Sequence, residues 1–390
     1  MPVPKHCSNP NCPNFSAPRG RWYFRFGSYH TACHGRVTRY RCKQCGKSLS
    51  DQTFSVFYYT KRRLDLPGVF SRLRGGGSLR DIAREHGVSR TAIQTAVFRL
   101  GRQAIAAHCL LTQGWQVPED LAFDGLVSFL TSQDFSTHLS VGVETQAEFI
   151  ISMTHAVVRR GGRLTPTQQR RRKLKEAVWK PPKGALKGAI SLLVGELARY
   201  CQHGIGRARN FFSDELPFYG HALGSELACR FLIYHRQIVH RKISSKAPRT
   251  MDNPLFPVNY VDMLLRHRMK EHTRETIAFG RHAVHQMHRA WIFAYDHNYR
   301  QPRRVKEGDG STVRSALVGI SEKARGKIAR AFFSERLDLR DCPLPESCSR
   351  IWRGELVSPP VRWKSGQREA RRVAIPKFAL RDLLLIQQFE

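Results

Sequence analysis

Two carboxylates in this 390-residue sequence sit where a charge is costly to keep. Asp124 follows the apolar run Leu121–Phe123, and Asp214 follows Phe211, Phe212 and Ser213 in the stretch RNFFSDE, Arg209–Glu215. Each reads as an acid at the end of a buried strand, a position that demands a cation or hydrogen bonds. Two such acids, far apart in a chain with 65 Lys+Arg against 31 Asp+Glu, point to a metal site that handles phosphate. Two divalent ions roughly 4 Å apart, bridged by carboxylates, activate a water or a 3′-hydroxyl and stabilise the leaving oxygen of a phosphodiester. Such a pair needs a third acid. The stretch Asn253–Gly280 supplies candidates. Pro257 starts a helix there, because its fixed φ and missing N–H suit a first turn. Asp262 lies in the early turns, with Glu271 and Glu275 further along. Asp262 is nearest the chain entering from the sheet and ranks first, Glu275 second. Beside Arg266, Arg268 and Arg274, each of these acids alone also reads as a solvated, ion-paired carboxylate.

A second constellation opens the chain. Cys7-x4-Cys12 (HCSNPNC) is followed about thirty residues on by Cys42-x2-Cys45 (YRCKQCGKS). Each pair sits with Pro, Asn or Gly in a short knuckle whose N–H groups can face thiolate sulfur. Four thiolates so spaced suit one tetrahedral structural Zn2+ with no open coordination position. Between the pairs, Trp22–Tyr29 and Val37–Tyr40 carry aromatic and β-branched residues at strand spacing, which makes the whole a zinc ribbon. Cys33 and His34 lie between the pairs and are alternative ligands. Cys109, Cys201, Cys229, Cys342 and Cys348 have no partner at ligand spacing and read as ordinary thiols.

The elements that must hold these residues follow from periodicity. Lys61–Leu73 is helical, with Leu64, Leu66, Val69, Phe70 and Leu73 on one face. Ser78 caps a helix Leu79–Glu85, His86-Gly87-Val88 turns, and Ser89 caps a second helix, Arg90–Leu100. Ile82, Ala83, Val88, Ile93 and Val97 pack this pair together, so Arg90, Thr91, Gln94, Thr95 and Arg99 project outward. A second helix presenting Arg, Thr and Gln suits a DNA major groove. A plain helical hairpin is the competing reading. Gln113–Asp120 is a linker, and Leu121–Arg160 then reads as a strand ending at Asp124, a small-residue loop, and a strand Phe149–Val158. Asp134, Glu144 and Glu148 fall in that loop or at a strand start, outside the site.

Arg159–Lys175 holds eight Lys/Arg and no acid. It reads equally as a solvated basic loop and as a surface that tracks phosphates through Arg159, Arg160, Arg163, Arg170, Arg171 and Arg172. An amphipathic helix, Leu186–Tyr200, leads to the strand before Asp214. Strand–helix–strand order predicts an α/β fold with a mixed or parallel sheet and flanking helices. The domains are then 1–53, ribbon; 54–112, helix-turn-helix; 113–300, catalytic; and 301–390, a basic region. In that last region Trp352, Trp363 and interleaved arginines either stack on DNA or belong to a small appendage ending in an apolar helix, Phe378–Gln388.

A formal net charge of +34 and a pI near 10.5 make DNA or RNA the obvious partner. A membrane surface is disfavoured by the lack of a basic amphipathic helix, and no apolar run approaches about 18 residues. MPVPKHCSNP has no apolar signal core, so a reducing cytoplasm is expected, where paired cysteines mean metal more often than disulfide.

The order of ribbon, helix-turn-helix, AFDGLVSFLTSQDFSTHL, VVRRGGRLTPTQQRRR, FFSDELPFYGHAL and NPLFPVNYVDMLLRHRMKEHTRETIAFGR resembles a bacterial insertion-sequence transposase of the DDE/DDD class. The resemblance covers residues 1–300. It implies a ribonuclease-H-like catalytic domain and Mg2+- or Mn2+-dependent cleavage at the element's ends. It further implies attack of the freed 3′-hydroxyls on target DNA, and a homodimer or larger assembly, because two ends are joined. Asp124 matches the first acid and Asp214 the second; Asp262 fills the third place. The interval from Asp214 to Asp262 is longer than is usual in the class, and Asp stands where Glu is common. Two other classes share parts of this sequence logic: a non-catalytic DNA-binding regulator, and a ribonuclease-H-like nuclease without strand transfer.

Overall fold

The structure is a computed structural model that describes residues 4–201, 208–273, 276, 278–304 and 312–360. An N-terminal antiparallel sheet comes first. After a one-turn helix α1 (Pro13–Ser16), β1 (Tyr23–Thr31), β2 (Gly35–Cys42) and β3 (Ser48–Ser50) pair in that order. Their small core is Trp22 and Leu49 packed on Cys7, Cys12 and Cys42.

Three helices follow: α2 (Leu66–Arg74), α3 (Leu79–Glu85) and α4 (Arg90–Leu111). Ser78 and Ser89 cap α3 and α4 as expected, each hydroxyl accepting from the N–H three residues on. Helix α4 does not end at Leu100. It runs through Gly101 because a Cβ there would lie 2.5 Å from His288 Cβ, so glycine permits close approach of the facing helix. Its C-terminal half is buried, and His108 Nε2 bonds the carbonyl of Ile151 in the main sheet.

That main sheet has five strands: β4 (Leu121–Phe129), β5 (Phe135–Glu144), β6 (Phe149–Arg159), β7 (Arg209–Ser213) and β8 (Ile238–Lys242). Their spatial order is β6-β5-β4-β7-β8. β4, β5 and β6 are antiparallel, while β7 runs parallel to β4 and β8 parallel to β7. This corrects the expected loop after Asp124. β4 continues past Asp124 to Phe129, and the supposed loop is β5, buried along its whole length. Ser136, Thr137, His138 and Ser140 looked solvated in sequence, yet helices cover both faces and their polar groups are buried.

Between β6 and β7 lie α5 (Pro166–Val178) and α6 (Ala185–Arg199). The basic segment is thus helical from Pro166 onward, and only residues 160–165 are loop. Thr165 and Gln168 form a reciprocal capping box around Pro166, a start signal visible in LTPTQQ. After β7 come α7 (Pro217–Ser225) and α8 (Leu227–Tyr234), and after β8 come α9 (Phe256–Arg268) and α10 (Ala283–Tyr299). The two sheet faces are assigned by adjacent residues of β6. Thr154 donates to the Ala189 carbonyl of α6, whereas His155 bonds Gln286 of α10. Successive strand side chains point oppositely, so α6 covers one face and α10 the other.

The C-terminal elements α11 (Arg314–Leu317), α12 (Glu322–Ala331) and α13 (Glu346–Arg353) close the described chain. One hydrophobic core runs from Val56 through the main sheet to Trp352. The segments 54–112, 113–300 and the described part of 301–390 therefore share their interior. Trp352 is buried beneath Arg102, which also donates to its carbonyl, so it does not present a stacking face. Trp363 and Phe378–Gln388 lie outside the described residues. Among those described, no helix is long and apolar enough to cross a membrane.

Candidate metal centres

The cysteine centre is assembled as its spacing demands. The Sγ atoms of Cys7, Cys12, Cys42 and Cys45 all lie within 4.8 Å of one another, with Cys7–Cys45 at 3.5 Å and Cys12–Cys42 at 3.8 Å. A tetrahedron with Zn–S bonds of about 2.3 Å has S···S edges of about 3.8 Å. The four thiols therefore fit a structural metal such as zinc. Asn9 N–H donates to Cys7 Sγ at 3.5 Å, and the Asn14 amide donates to Cys42 Sγ at 3.6 Å. Burial pushes the Cys42 thiol up, but the Cys45 and Gln44 N–H groups and Asn14 outweigh it and bring the thiol to about 7. The alternative ligands are engaged elsewhere, since Cys33 and His34 both contact the Thr60 hydroxyl. Asn14 is a supporting residue that no sequence argument singled out.

The carboxylates gather by a longer route. β4 and β7 pair in parallel at Leu121↔Phe211 and Ala122↔Phe212. Continued by two residues, that register sets Asp124 level with Asp214 on strands about 4.8 Å apart. Asp214 follows β7 directly, as expected, and its Oδ1 accepts from Leu216 N–H at 2.9 Å. Asp124 lies mid-strand, and its Oδ1 accepts from Gly125 N–H at 2.6 Å. Asp124 shares strand parity with Ser128, whose hydroxyl donates to Glu271 O just beyond α9. Asp124 thus faces α9, the helix that carries Asp262.

The electrostatics agree with that placement. Burial pushes Asp124 up to about 6, despite the Gly125 N–H and Arg249, and repulsion from Asp214 adds to the rise. Burial and then Asp124 raise Asp262 far above the usual carboxylate range. Tyr219, buried on α7, is raised by burial and then by Asp124, Asp214 and Asp262 together. Asp262 Oδ1 and Tyr219 OH are sealed from solvent and have no hydrogen-bond partner among the described residues. Asp124, repelled by Asp214 and itself repelling Asp262, together with these two unpartnered oxygens makes a donor set suited to a hard cation. Their oxygens are more widely spaced than the sulfurs: among the described residues only the cysteines bring three or more ligand atoms within 4.8 Å.

The other acids separate from this group. Glu271 belongs to a short 3-10 turn after α9, where it pairs with Arg289 at 2.9 Å. Glu275 lies outside the described residues. Asp134 pairs with Lys175 at 2.6 Å, and buried Glu148 is held by Arg303, Arg304 and Arg314. Glu144 accepts from Gln146 and Ala147 N–H groups in its own turn. Tyr219 and Arg249 are site residues the sequence did not flag, because nothing about either residue type at its position distinguishes it from core or surface.

The residues expected on DNA divide similarly. Arg90 and Thr91 are exposed at the start of α4. Thr95 bonds back to the Thr91 carbonyl, and the Gln94 amide meets His285 of α10 at 2.9 Å. Arg99 does not project outward. It is buried, donating to the carbonyls of Val56 and Tyr58 at 2.6 and 2.7 Å, because that side of α4 turns into the shared core. On and before α5, Arg163, Arg170 and Arg171 are exposed, Arg159 clasps Glu176, and Arg160 and Arg172 are half-buried. Helix α5 buries none of its residues. In comparisons with known proteins, no family model and no curated protein matches this chain.

Proposed function

We propose that this chain is a DNA transposase of the DDE/DDD class, with a ribonuclease-H-like catalytic domain. It binds the ends of an insertion sequence and catalyses phosphodiester hydrolysis, then transfer of the 3′-hydroxyl ends into target DNA. One observation carries this reading: acids from β4, from the end of β7 and from α9 converge on Tyr219 inside a chain of net charge +34. Buried acids that repel each other are poor structural elements and good metal ligands. The five-stranded mixed sheet with helices on both faces supports the ribonuclease-H-like assignment.

In this reading Asp124, Asp214 and Asp262 hold Mg2+ or Mn2+. When bound, the ions supply an activated hydroxyl and charge stabilisation at the leaving oxygen. The protein's own residues do the rest. β4 and β7 fix two carboxylates side by side, α9 delivers the third, and the buried Tyr219 hydroxyl, within the field of all three, is available as a donor. Arg90 and Thr91 on α4, with Arg163, Arg170 and Arg171 beside or on α5, are free of the core to meet duplex phosphates and base edges. The cysteine centre takes one structural Zn2+. Joining two ends calls for at least a dimer on DNA, acting where the chromosome lies, in the bacterial cytoplasm.

The test is a reaction in vitro with DNA bearing candidate element ends, Mg2+ and a target plasmid. Joined products are expected. Cleavage without joining would identify a nuclease instead, and binding without either reaction a regulator.

A further inference from the structure

The N-terminal sheet has two unlike faces. One packs Trp22, Tyr23 and Tyr40 over the cysteines. On β1, Phe24 and Phe26 remain 44% and 38% exposed, with ring centroids 6.4 Å apart at a steep angle. The guanidinium carbons of Arg39 and Arg41 on β2 lie 5.2 and 4.6 Å from the Phe26 centroid. Arg41 is held there by its Nε, which donates to the Gly46 carbonyl at 3.1 Å. The Phe24↔Arg41 register breaks after Arg25, where Gly27 takes φ +79° and a bulge turns the neighbouring side chains. Residues 1–50, which include this sheet, contain nine Lys/Arg and no Asp or Glu.

We propose that this face binds single-stranded DNA, with unpaired bases stacking on Phe24 and on the guanidinium planes that Phe26 carries, where Arg39 and Arg41 also meet the phosphates. Aromatic rings exposed on a strand gain little from a duplex, whose base faces are hidden in its own stack. A single strand supplies open base faces and a dense negative charge together, and guanidiniums stacked on a ring add cation–π attraction. The absence of any acid in the segment makes an anionic polymer the matching occupant. This contact is distinct from the duplex contacts assigned to α4 and α5 and does not depend on the chemistry of the acids.

The experiment measures anisotropy of the zinc-loaded full chain with labelled oligo-dT and with a duplex of equal length, alongside sedimentation of the protein alone. Phe24→Ala/Phe26→Ala is expected to weaken oligo-dT binding roughly tenfold or more while changing duplex binding less than about twofold. Phe24→Tyr/Phe26→Tyr, which keeps the rings, retains oligo-dT binding and guards against simple misfolding. Unchanged oligo-dT affinity, an equal loss on the duplex, or a loss confined to self-association would overturn the proposal.

Discussion

The cysteine centre and the proposed acidic centre are built in opposite ways. Four thiols come together within a single small sheet, from two pairs whose partners are a few residues apart. The three proposed acidic ligands approach each other only because β4 and β7 lie side by side and α9 packs against β4. Local knuckles place the sulfurs, with N–H groups of Asn9, Gln44 and Cys45 already aimed at them. At the acidic centre burial opposes the charges, which a bound cation or a proton would relieve. A locally built site withstands damage elsewhere; a site assembled by the fold depends on all of it.

The largest effects should separate the centres completely. Asp124→Ala and Asp214→Ala are each expected to reduce cleavage and joining to background, with zinc content and duplex binding retained; gel assays of both activities check this. Cys42→Ser should do the converse. Structural zinc contributes on the order of 10 kcal/mol to small domains, so the N-terminal sheet should unfold. The main core, a separate cluster, should persist with a cooperative melt. Zinc analysis and calorimetry would detect both results.

Smaller effects sharpen the contrast. A Cβ at Gly125 would fall 1.8 Å from Cε1 of His138, whose Nδ1 is tied to Ser140. Gly125→Ala should therefore cost about 1–3 kcal/mol by overpacking. It should also displace Asp124 and weaken divalent-metal binding, while zinc stays at about one per chain. Asp124→Asn acts the other way. Its folded-state value of about 6 exceeds the ordinary 3.8, so the folded chain holds the proton more tightly. Stability therefore falls as pH rises from 3.8 towards about 6, and the penalty is complete above that. With solvent access discounted, Asp124→Asn should stabilise the protein without divalent metal by about 1–2 kcal/mol at neutral pH and negligibly near pH 4, measured by denaturant melts.

The same contrast explains what could be read in advance. The zinc spacing, the capped helices at Ser78 and Ser89, and Pro257 in the first turn of α9 are local signals, and each appears in place. β5 was missed because its polar residues are buried between helix layers, where alternation no longer marks a solvent face. Arg99 was misplaced for a related reason: periodicity gives a helix one core face, and α4 is buried nearly all round beyond Gln94. Asp124 and Asp214 were legible as acids on apolar strands. Position alone ranks Asp262 ahead of Glu271, and the fold separates them further by giving Glu271 an arginine.

Asp124, Asp214 and Asp262 are proposed to form one cation site. Calorimetric titration of the zinc-loaded protein with Mn2+ tests it most directly. Saturable binding that weakens below pH 6, the region where Asp124 takes up its proton, and that disappears in Asp124→Ala and Asp214→Ala is the predicted result. Binding unchanged in both variants, or absent from the unsubstituted protein at neutral pH, would contradict it.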